Sequence, residues 1–376
     1  MPEQNNVRLQ EMALTVPADW PEAPLAPPEA AHRLRELPGV LHVVAFPRWK
    51  WPVIRQCFPG RTLRFVAAEN IPPDARCLVL WGTADVPQGA GAEVRILRVE
   101  DGFLRSVGLG AELVRPLSWV IDTRGIYYDA RQESDLEWLL GHATFSPALV
   151  ARARALRERI VASGLTKYNV GAKVWHRPPQ ASRVILVPGQ VESDASIAFG
   201  ASGLRRNMEL LRQVRQDHPN AYIVYKPHPD VAARLRKTGV DEDRALDWCD
   251  AVVPDVPMNA LLDAVDEMHV LTSLAGFEAL LRGKAVTCHG QPFYAGWGLT
   301  TDRLPHPRRQ RTLQLDELVA ATLILYPIYL SREGRGLSTP EQALDALAAW
   351  KARKGPSEPW WIEIYRFFLR RFIGVR

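Results

Sequence analysis

Residues 184–197 read VILVPGQVESDASI, where four apolar residues are followed directly by a turn that contains Gln190 and two acids, Glu192 and Asp194. A short apolar run bounded by proline and glycine is typical of a strand that is buried on both faces of a sheet. In doubly wound α/β folds, ligands bind just beyond the carboxyl ends of such strands. If the surrounding sequence alternates strands with helices, these polar residues are therefore predicted to form the floor of a cleft.

The rest of the chain shows this alternation, because short apolar runs are separated by turn residues and by helical patterns. The predicted elements are strands at 39–46, 64–67, 77–81 and 94–99, a hairpin at 118–129, a strand at 183–187, a helix at 208–214, a strand at 221–225, a helix at 258–265, a strand at 269–271, a helix at 274–281 and a strand at 285–287.

Four segments are predicted along the chain. Residues 1–30, rich in proline and alanine, form a loosely ordered lead-in, and residues 31–165 form a Rossmann-like domain that ends in a linker helix capped by Ser146. Residues 166–330 form a second Rossmann-like domain, and residues 331–376 form C-terminal helices. Two doubly wound α/β domains with a cleft between them describe the GT-B architecture, although periodicity alone does not separate it from a dehydrogenase or a periplasmic-type binding protein.

Composition excludes several classes of protein. The chain has 376 residues, 24% of them charged, with a formal net charge of +5, which is mild for a dedicated nucleic-acid protein. No apolar run approaches the roughly 20 residues that span a bilayer, and no secretory signal is visible at the N-terminus. The four cysteines lie far apart with no CxxC pair, so we expect reduced, structural thiols and no metal site.

The dehydrogenase alternative depends on the glycine-rich stretch at 108–113. That stretch reads GLGAEL, lacks the third glycine of the dinucleotide-binding fingerprint and does not open a clear helix after a strand. The sequence therefore disfavours a dinucleotide cofactor.

A second polar strand end is found at residues 225–230, YKPHPD. Two prolines stiffen this turn, so Lys226 and His228 are placed to hold a phosphate with little loss of side-chain freedom. The alternative is an ordinary turn with solvated polar tips.

A third polar strand end carries Thr272 and Ser273, which can cap the helix that follows and leave backbone N–H groups directed at an anion. Glu278, one turn further on, is a candidate partner for a ribose diol. The alternative is a capping residue followed by a solvated glutamate.

A fourth polar strand end reads VEDGFLRS and contains Glu100, Asp101 and Arg105. Asp-Gly is also a common turn pair, so an exposed turn is the alternative. Carboxylates on both sides of one cleft are what glycosyl transfer uses, one as nucleophile and one for proton transfer.

Five long motifs together resemble the KpsC-type β-Kdo transferases of bacterial capsule polysaccharide biosynthesis, retaining enzymes that use CMP-Kdo. They lie in the expected order between about residues 94 and 302, and they read EDGFLRSVGLG, PLSWVIDTRGIYYDA, PGQVESDASI, KPHPDV and TSLAGFEALLRGKAVTCHGQPFYAGWGLT.

The resemblance implies a role for each candidate residue. Asp194, within the motif that begins at Gln190, becomes the nucleophile, with Glu192 as the next candidate, and Gln190 becomes a donor-binding residue. Glu100 or Asp101 becomes the base toward the acceptor. Arg105 is placed for an anionic group such as the Kdo carboxylate. The remaining candidates become the residues that bind CMP, and they are Lys226, His228, Thr272, Ser273 and Glu278. The family also implies that residues 31–165 face the acceptor, that residues 166–330 bind the donor, and that no metal or other cofactor is needed.

The C-terminal tail has an amphipathic pattern. At helical spacing, aromatic and aliphatic residues form one stripe opposite charged residues, which favours an interfacial helix on an anionic membrane. A helix that docks on the first domain is the alternative. The prediction is a cytoplasmic protein, peripheral on the inner face of the inner membrane, with a saccharide or lipid-linked acceptor. The stripe comprises Trp361, Ile364, Phe368, Phe372 and Val375.

One departure from the family concerns the number of modules. KpsC-type proteins carry two transferase modules, whereas this sequence has a single set of motifs, which predicts a single-linkage enzyme. Two other classes stay open: a GT-B-like nucleotide-sugar epimerase or hydrolase, and a noncatalytic subunit of a capsule-assembly complex. The acceptor, the linkage and the choice between Kdo and another acidic ulosonate are not predicted.

Overall fold

A computed structural model describes most of the chain, and the predicted lead-in, the glycine-rich stretch at 108–113 and the aromatic tail lie outside the described residues. The described residues are 34, 36–106, 116–167, 171–331 and 336–353.

Strands and helices alternate through most of this part of the chain, as the sequence predicts. The strands are β1 Val40–Val44, β2 Thr62–Val66, β3 Cys77–Trp81, β4 Arg95–Asp101, β5 Ser118–Asp122, β6 Val184–Pro188, β7 Tyr222–Lys226, β8 Ala251–Val252, β9 Glu267–Val270, β10 Ala285–Cys288, β11 Thr301–Asp302, β12 Pro327–Leu330 and β13 Leu337–Ser338. The helices are α1 Trp51–Cys57, α2 Asp135–His142, α3 Pro147–Ala162, α4 Ala195–Gly200, α5 Asn207–Asp217, α6 Pro229–Ala232, α7 Met258–Ala264, α8 Leu274–Leu281, α9 Leu315–Val319 and α10 Pro340–Arg353.

The first sheet has the order β13-β12-β5-β4-β3-β1-β2. Strands β2, β1, β3 and β4 are parallel, whereas β5 pairs antiparallel with β4 and β12 pairs antiparallel with β5. The predicted hairpin at 118–129 is wrong: β5 is its only strand, because residues 123–129 form turns and β5 finds its partners in β4 and β12. The predicted limit at residue 330 groups β12 with the second domain, but this strand pairs with the first sheet.

The second sheet has the order β11-β10-β9-β6-β7-β8, and all of its pairs are parallel. This is the 3-2-1-4-5-6 order of a doubly wound fold, in which the order reverses between β6 and β9. The stretch VILVP at 184–188 therefore forms the central strand, and all five of its residues are buried.

Helix α3 connects the two sheets along the chain and contacts helices α9 and α10. The Ser146 hydroxyl accepts a hydrogen bond from the Leu149 N–H at 3.2 Å, and a proline occupies the first turn, which fixes the start of the helix as the sequence predicts. One face of α3 is buried in an apolar core that also contains Val120 of β5 and Leu186 of β6. This shared core holds the two sheets together.

Candidate functional site

A cleft of about 850 Å³ lies beyond the carboxyl ends of strands from both sheets. This volume is in the range of cavities that enclose small molecules. Ten of the residues that the sequence singles out line this one cleft, although they are spread over four separate stretches of chain, whereas Glu192 does not line it. The ten are Glu100, Asp101, Arg105, Gln190, Asp194, Lys226, His228, Thr272, Ser273 and Glu278.

Gln190 and Thr272 join the two strand ends at the point where the order of the second sheet reverses. The Gln190 amide nitrogen donates to Thr272 Oγ1 at 3.1 Å, and the Thr272 backbone N–H donates to Gln190 Oε1 at 3.0 Å. Gln190 is buried, so these bonds are shielded from water. The amide therefore fixes the cleft floor between β6 and β9.

Asp194 lies at the start of α4 and is exposed to the cleft. Its Oδ1 accepts the Ser196 backbone N–H at 2.8 Å, which is the usual capping geometry. Oδ2 has no hydrogen-bond partner among the described residues. One carboxylate oxygen thus holds the side chain in place while the other stays accessible.

Glu192, two residues earlier, has a different environment. Its Oε1 accepts the Asn207 backbone N–H at 2.9 Å, and its Oε2 accepts the Val240 N–H at 3.1 Å. Glu192 is not among the residues that line the cleft. Both of its oxygens hold backbone in place, so its contacts favour a structural role.

Lys226 and His228 project from the end of β7 and the turn after it. The Lys226 ammonium donates to the carbonyls of Val256 at 2.6 Å and Pro254 at 3.2 Å, and burial lowers its pKa to about 8. Burial, with the nearby Lys167 charge, lowers the pKa of His228 to about 4, so its ring is neutral at pH 7. His228 Nδ1 accepts the Asp230 N–H, which leaves the proton on Nε2 as a donor.

Ser273 is the N-cap of α8, and Glu278 lies within this helix. The Ser273 hydroxyl caps the helix by accepting the Ala275 N–H, as predicted. Glu278 is buried, and its Oε1 accepts the Lys167 N–H at 2.6 Å. Burial raises the pKa of Glu278 to about 7, so the predicted ribose partner is only partly ionised near neutral pH.

On the opposite wall, Glu100 and Asp101 differ in their partners. Asp101 Oδ2 accepts from Arg105 Nε at 2.6 Å, so the arginine that the sequence assigned to an anionic ligand already pairs with a carboxylate. Glu100 Oε1 accepts the Asp101 N–H at 3.0 Å, and Glu100 Oε2 accepts from the Tyr128 hydroxyl at 3.4 Å. Burial and the Asp101 charge raise the pKa of Glu100 to about 7.

Sequence reasoning missed an aromatic and basic part of the first wall. Trp49, Lys50 and Trp81 line the cleft, as do Tyr127 and Tyr128. The signal was present in the stretch FPRWKW at 46–51, which follows the first predicted strand just as the chosen motifs follow theirs. Lys50 lies after a predicted strand in the same way as the candidate residues do.

Away from the cleft, the second sheet carries a cluster of His218, Glu267 and His269, whose ligand atoms lie within 4.8 Å of one another. The sequence did not predict it. His269 bonds to Glu267 at 2.7 Å and to His289 at 3.1 Å, and Arg183 pairs with Glu267. These contacts explain the cluster as a buried hydrogen-bond network. That the protein needs no metal stays a prediction.

The fold and the site together define an α/β protein with two sheets and a polar, mixed-charge cleft at their strand ends. The family model described as "Capsule polysaccharide biosynthesis protein" matches residues 77–173 and 157–329, which is more than half of the chain. The chain belongs to this family of capsule polysaccharide biosynthesis proteins.

Relatives agree with this assignment. The capsule polysaccharide modification protein LipA of Neisseria meningitidis serogroup A is 43% identical over 327 residues, covering 84% of this chain and 46% of LipA. The chain thus spans about half the length of the curated relative that it matches.

Two solved structures from Thermosulfurimonas dismutans are similar to this chain. The KpsC β-Kdo 2,7-transferase is 39% identical with a TM-score of 0.69, covering 83% of this chain and 99% of that one. The KpsC β-Kdo 2,4-transferase is 30% identical with a TM-score of 0.71, covering 81% and 97%. Among the described residues, no helix is both long enough and apolar enough to cross a bilayer.

Proposed function

We propose that this protein is a retaining glycosyltransferase of the GT-B type, which moves Kdo from CMP-Kdo to a saccharide or lipid-linked acceptor in capsule or surface polysaccharide synthesis. One observation carries the proposal: Asp194 from the second sheet and Glu100 from the first line the same cleft, together with basic and hydroxyl groups that suit a nucleotide phosphate. Sequence identity of 39% to a structure described as a β-Kdo transferase supports the choice of sugar.

The donor half-reaction uses the wall formed by the second sheet. Asp194 Oδ2 attacks the anomeric carbon of the donor, the bond to the CMP oxygen breaks, and a covalent glycosyl–aspartate forms. His228 Nε2–H and the N-terminus of α8 at Ser273 stabilise the phosphate that leaves. Lys226 adds positive charge close by, although two carbonyls already bind its ammonium.

The acceptor half-reaction uses the opposite wall. An acceptor hydroxyl attacks the anomeric carbon from the face that CMP has left, and the aspartate departs as a carboxylate. The configuration of the sugar is retained because two inversions occur. Glu100 takes the acceptor proton; it suits this role better than Asp101, because Asp101 is paired with Arg105 whereas the pKa of Glu100 lies near the working pH.

The remaining predictions extend this proposal beyond the cleft. A protein that acts on a lipid-linked acceptor is expected on the cytoplasmic face of the inner membrane, held there by the amphipathic stripe of the tail. The chemistry described above uses no metal and no cofactor.

The experiment that tests this function is intact-mass measurement after incubation with CMP-Kdo and no acceptor. We expect wild type to gain the mass of one Kdo residue and Asp194→Asn to gain none. Asparagine keeps the helix cap, so loss of the adduct reports loss of the nucleophile. Glu192→Gln serves as the matched control, and it is expected to form the adduct because Glu192 does not line the cleft.

Two results would contradict the proposal. An adduct on Asp194→Asn would exclude this residue as the nucleophile. CMP release by wild type without any adduct, and without transfer when saccharide acceptors are supplied, would favour a nucleotide-sugar hydrolase.

A further inference from the structure

The first sheet has its own reversal of strand order, and a lysine lies there. Its parallel part has the order β2-β1-β3-β4. The chain passes from β1 to β2 in one direction along the sheet and from β3 to β4 in the opposite direction. This is the flavodoxin-like order, in which the crevice beyond β1 and β3 receives the ligand. Lys50 follows β1 and Trp81 ends β3, and both line the cleft.

The position of Lys50 is fixed by its aromatic neighbours. Its ammonium lies 2.8 Å from the centroid of the Trp81 ring and 5.2 Å from that of Trp49. The next residue, Trp51, donates its indole N–H to the Phe46 carbonyl at 2.9 Å, which closes the loop after β1. Trp81 is itself packed edge-on against Phe46. The lysine therefore rests on a rigid aromatic surface.

Glu100 lies beside this surface, at the end of the neighbouring strand β4. Its two oxygens are held by the Asp101 N–H and the Tyr128 hydroxyl. Gly82 follows Trp81 with a φ of +48°, and a Cβ there would lie 3.1 Å from Glu100 Oε2 and would overlap the Tyr128 hydroxyl. The close approach of β3 to this carboxylate thus requires a glycine.

The charges around Glu100 oppose one another. Burial and the Asp101 charge favour its protonated form, whereas Lys50 and Lys167 favour the carboxylate. Burial lowers the pKa of Lys50 to about 8, against the attraction of Asp101 and Glu100. The other titratable or charged groups near this pair are Arg105, Tyr127, Tyr128 and, on the opposite wall, Asp194.

We propose that Lys50 is a positioning residue for Glu100: its ammonium, fixed on the Trp81 ring, favours the carboxylate form of Glu100, which then accepts the proton of the attacking acceptor hydroxyl. The inference rests on the proposed function and extends it to a residue with no assigned role. The proton moves from the acceptor oxygen to Glu100, and Lys50 keeps its own protons throughout.

The test compares pH profiles of kcat/KM for Kdo transfer by wild type and Lys50→Met. Methionine keeps an unbranched side chain on Trp81 but removes the charge. We expect the acidic limb of the profile to move to higher pH, because the substitution removes a positive charge that favours the carboxylate form of Glu100. Lys50→Arg should restore the limb, and Lys173→Met, an exposed lysine outside the cleft, should leave it unchanged.

Intact-mass measurement shows whether the role of Lys50 or the proposed function itself is wrong. Adduct formation on Asp194 without acceptor belongs to the first half-reaction, so Lys50→Met should still form it. If wild type forms no adduct and transfers no sugar, the proposed function fails. If wild type transfers sugar and Lys50→Met keeps the wild-type acidic limb, the role of Lys50 is wrong. If Lys50→Met does not fold, Lys50→Gln carries the same expectation.

Discussion

At the scale of one residue, burial raises the pKa of Glu278, and the positive charges of Arg282 and Lys167 act in the opposite direction. Burial prevails, and the pKa of Glu278 rises from the usual 4.5 to about 7. Between these values the folded protein keeps a proton that the unfolded chain has lost, so the contribution of Glu278 to stability falls as pH rises through this window. Glu278→Gln stays neutral in both states and removes this dependence.

We therefore expect the free energy of unfolding of wild type, minus that of Glu278→Gln, to fall by about 3 kcal/mol from pH 4.5 to pH 7. Urea denaturation at a series of pH values measures it. Glutamine keeps an oxygen for the Lys167 N–H, so packing changes little. A difference that stays constant with pH would mean that Glu278 is solvated in the folded protein.

At the scale of one element, helix α8 depends on a glycine at its cleft end. A Cβ on Gly276 would overlap the hydroxyl of Tyr294, which donates to the Ser273 carbonyl at 2.5 Å. Tyr294 is fully buried and has little room to move. We expect Gly276→Ala to lower the free energy of unfolding by about 1–3 kcal/mol, the usual cost of overpacking.

The matched control is Gly141→Ala in helix α2. A Cβ at Gly141 meets nothing within 4 Å, so alanine should stabilise that helix by about 0.5–1 kcal/mol. Thermal unfolding of both variants gives the comparison. Equal shifts of Tm in the same direction would show that the contact with Tyr294 does not limit α8.

At the scale of the whole molecule, the buried carboxylate of Glu137 links the segment after β5 of the first sheet to the segment after β11 of the second sheet. Glu137 of α2 is 7% exposed and pairs with Arg308 at 2.5 Å and with Arg309 at 3.1 Å. Arg309 is 4% exposed at its side chain and also donates to the carbonyls of Pro292 and Ala295 beside the cleft. Glu137→Gln would remove the carboxylate that pairs with this buried guanidinium.

We expect Glu137→Gln to lower the free energy of unfolding by about 3 kcal/mol, in line with other broken buried pairs. Asp345→Asn is the control, because Asp345 pairs with Arg159 at the surface and should cost less than about 1 kcal/mol. Chemical denaturation measures both. Equal losses would show that burial does not strengthen the Glu137 contacts.

The sequence by itself determined the α/β class, most element positions and the set of candidate residues, because these depend on patterns within a few residues. Ser146 and Ser273 cap helices through bonds to backbone two or three residues away. Polar residues directly after apolar runs lie at strand ends, and parallel strands bring those ends together. Ten of the residues selected in this way line one cleft, and Glu192 does not.

Only the tertiary structure decided which of these groups can act on a ligand. Asp194 and Glu192 are two residues apart and equivalent by pattern, yet one opens to the cleft and the other binds the backbone of Asn207 and Val240. Lys50 and Glu100 line the same cleft because β3 lies between β1 and β4 and brings the ends of these strands to one edge of the sheet. The physical reason is that strand order and burial are set by contacts between distant parts of the chain, and these contacts fix the electrostatic environment of each carboxylate.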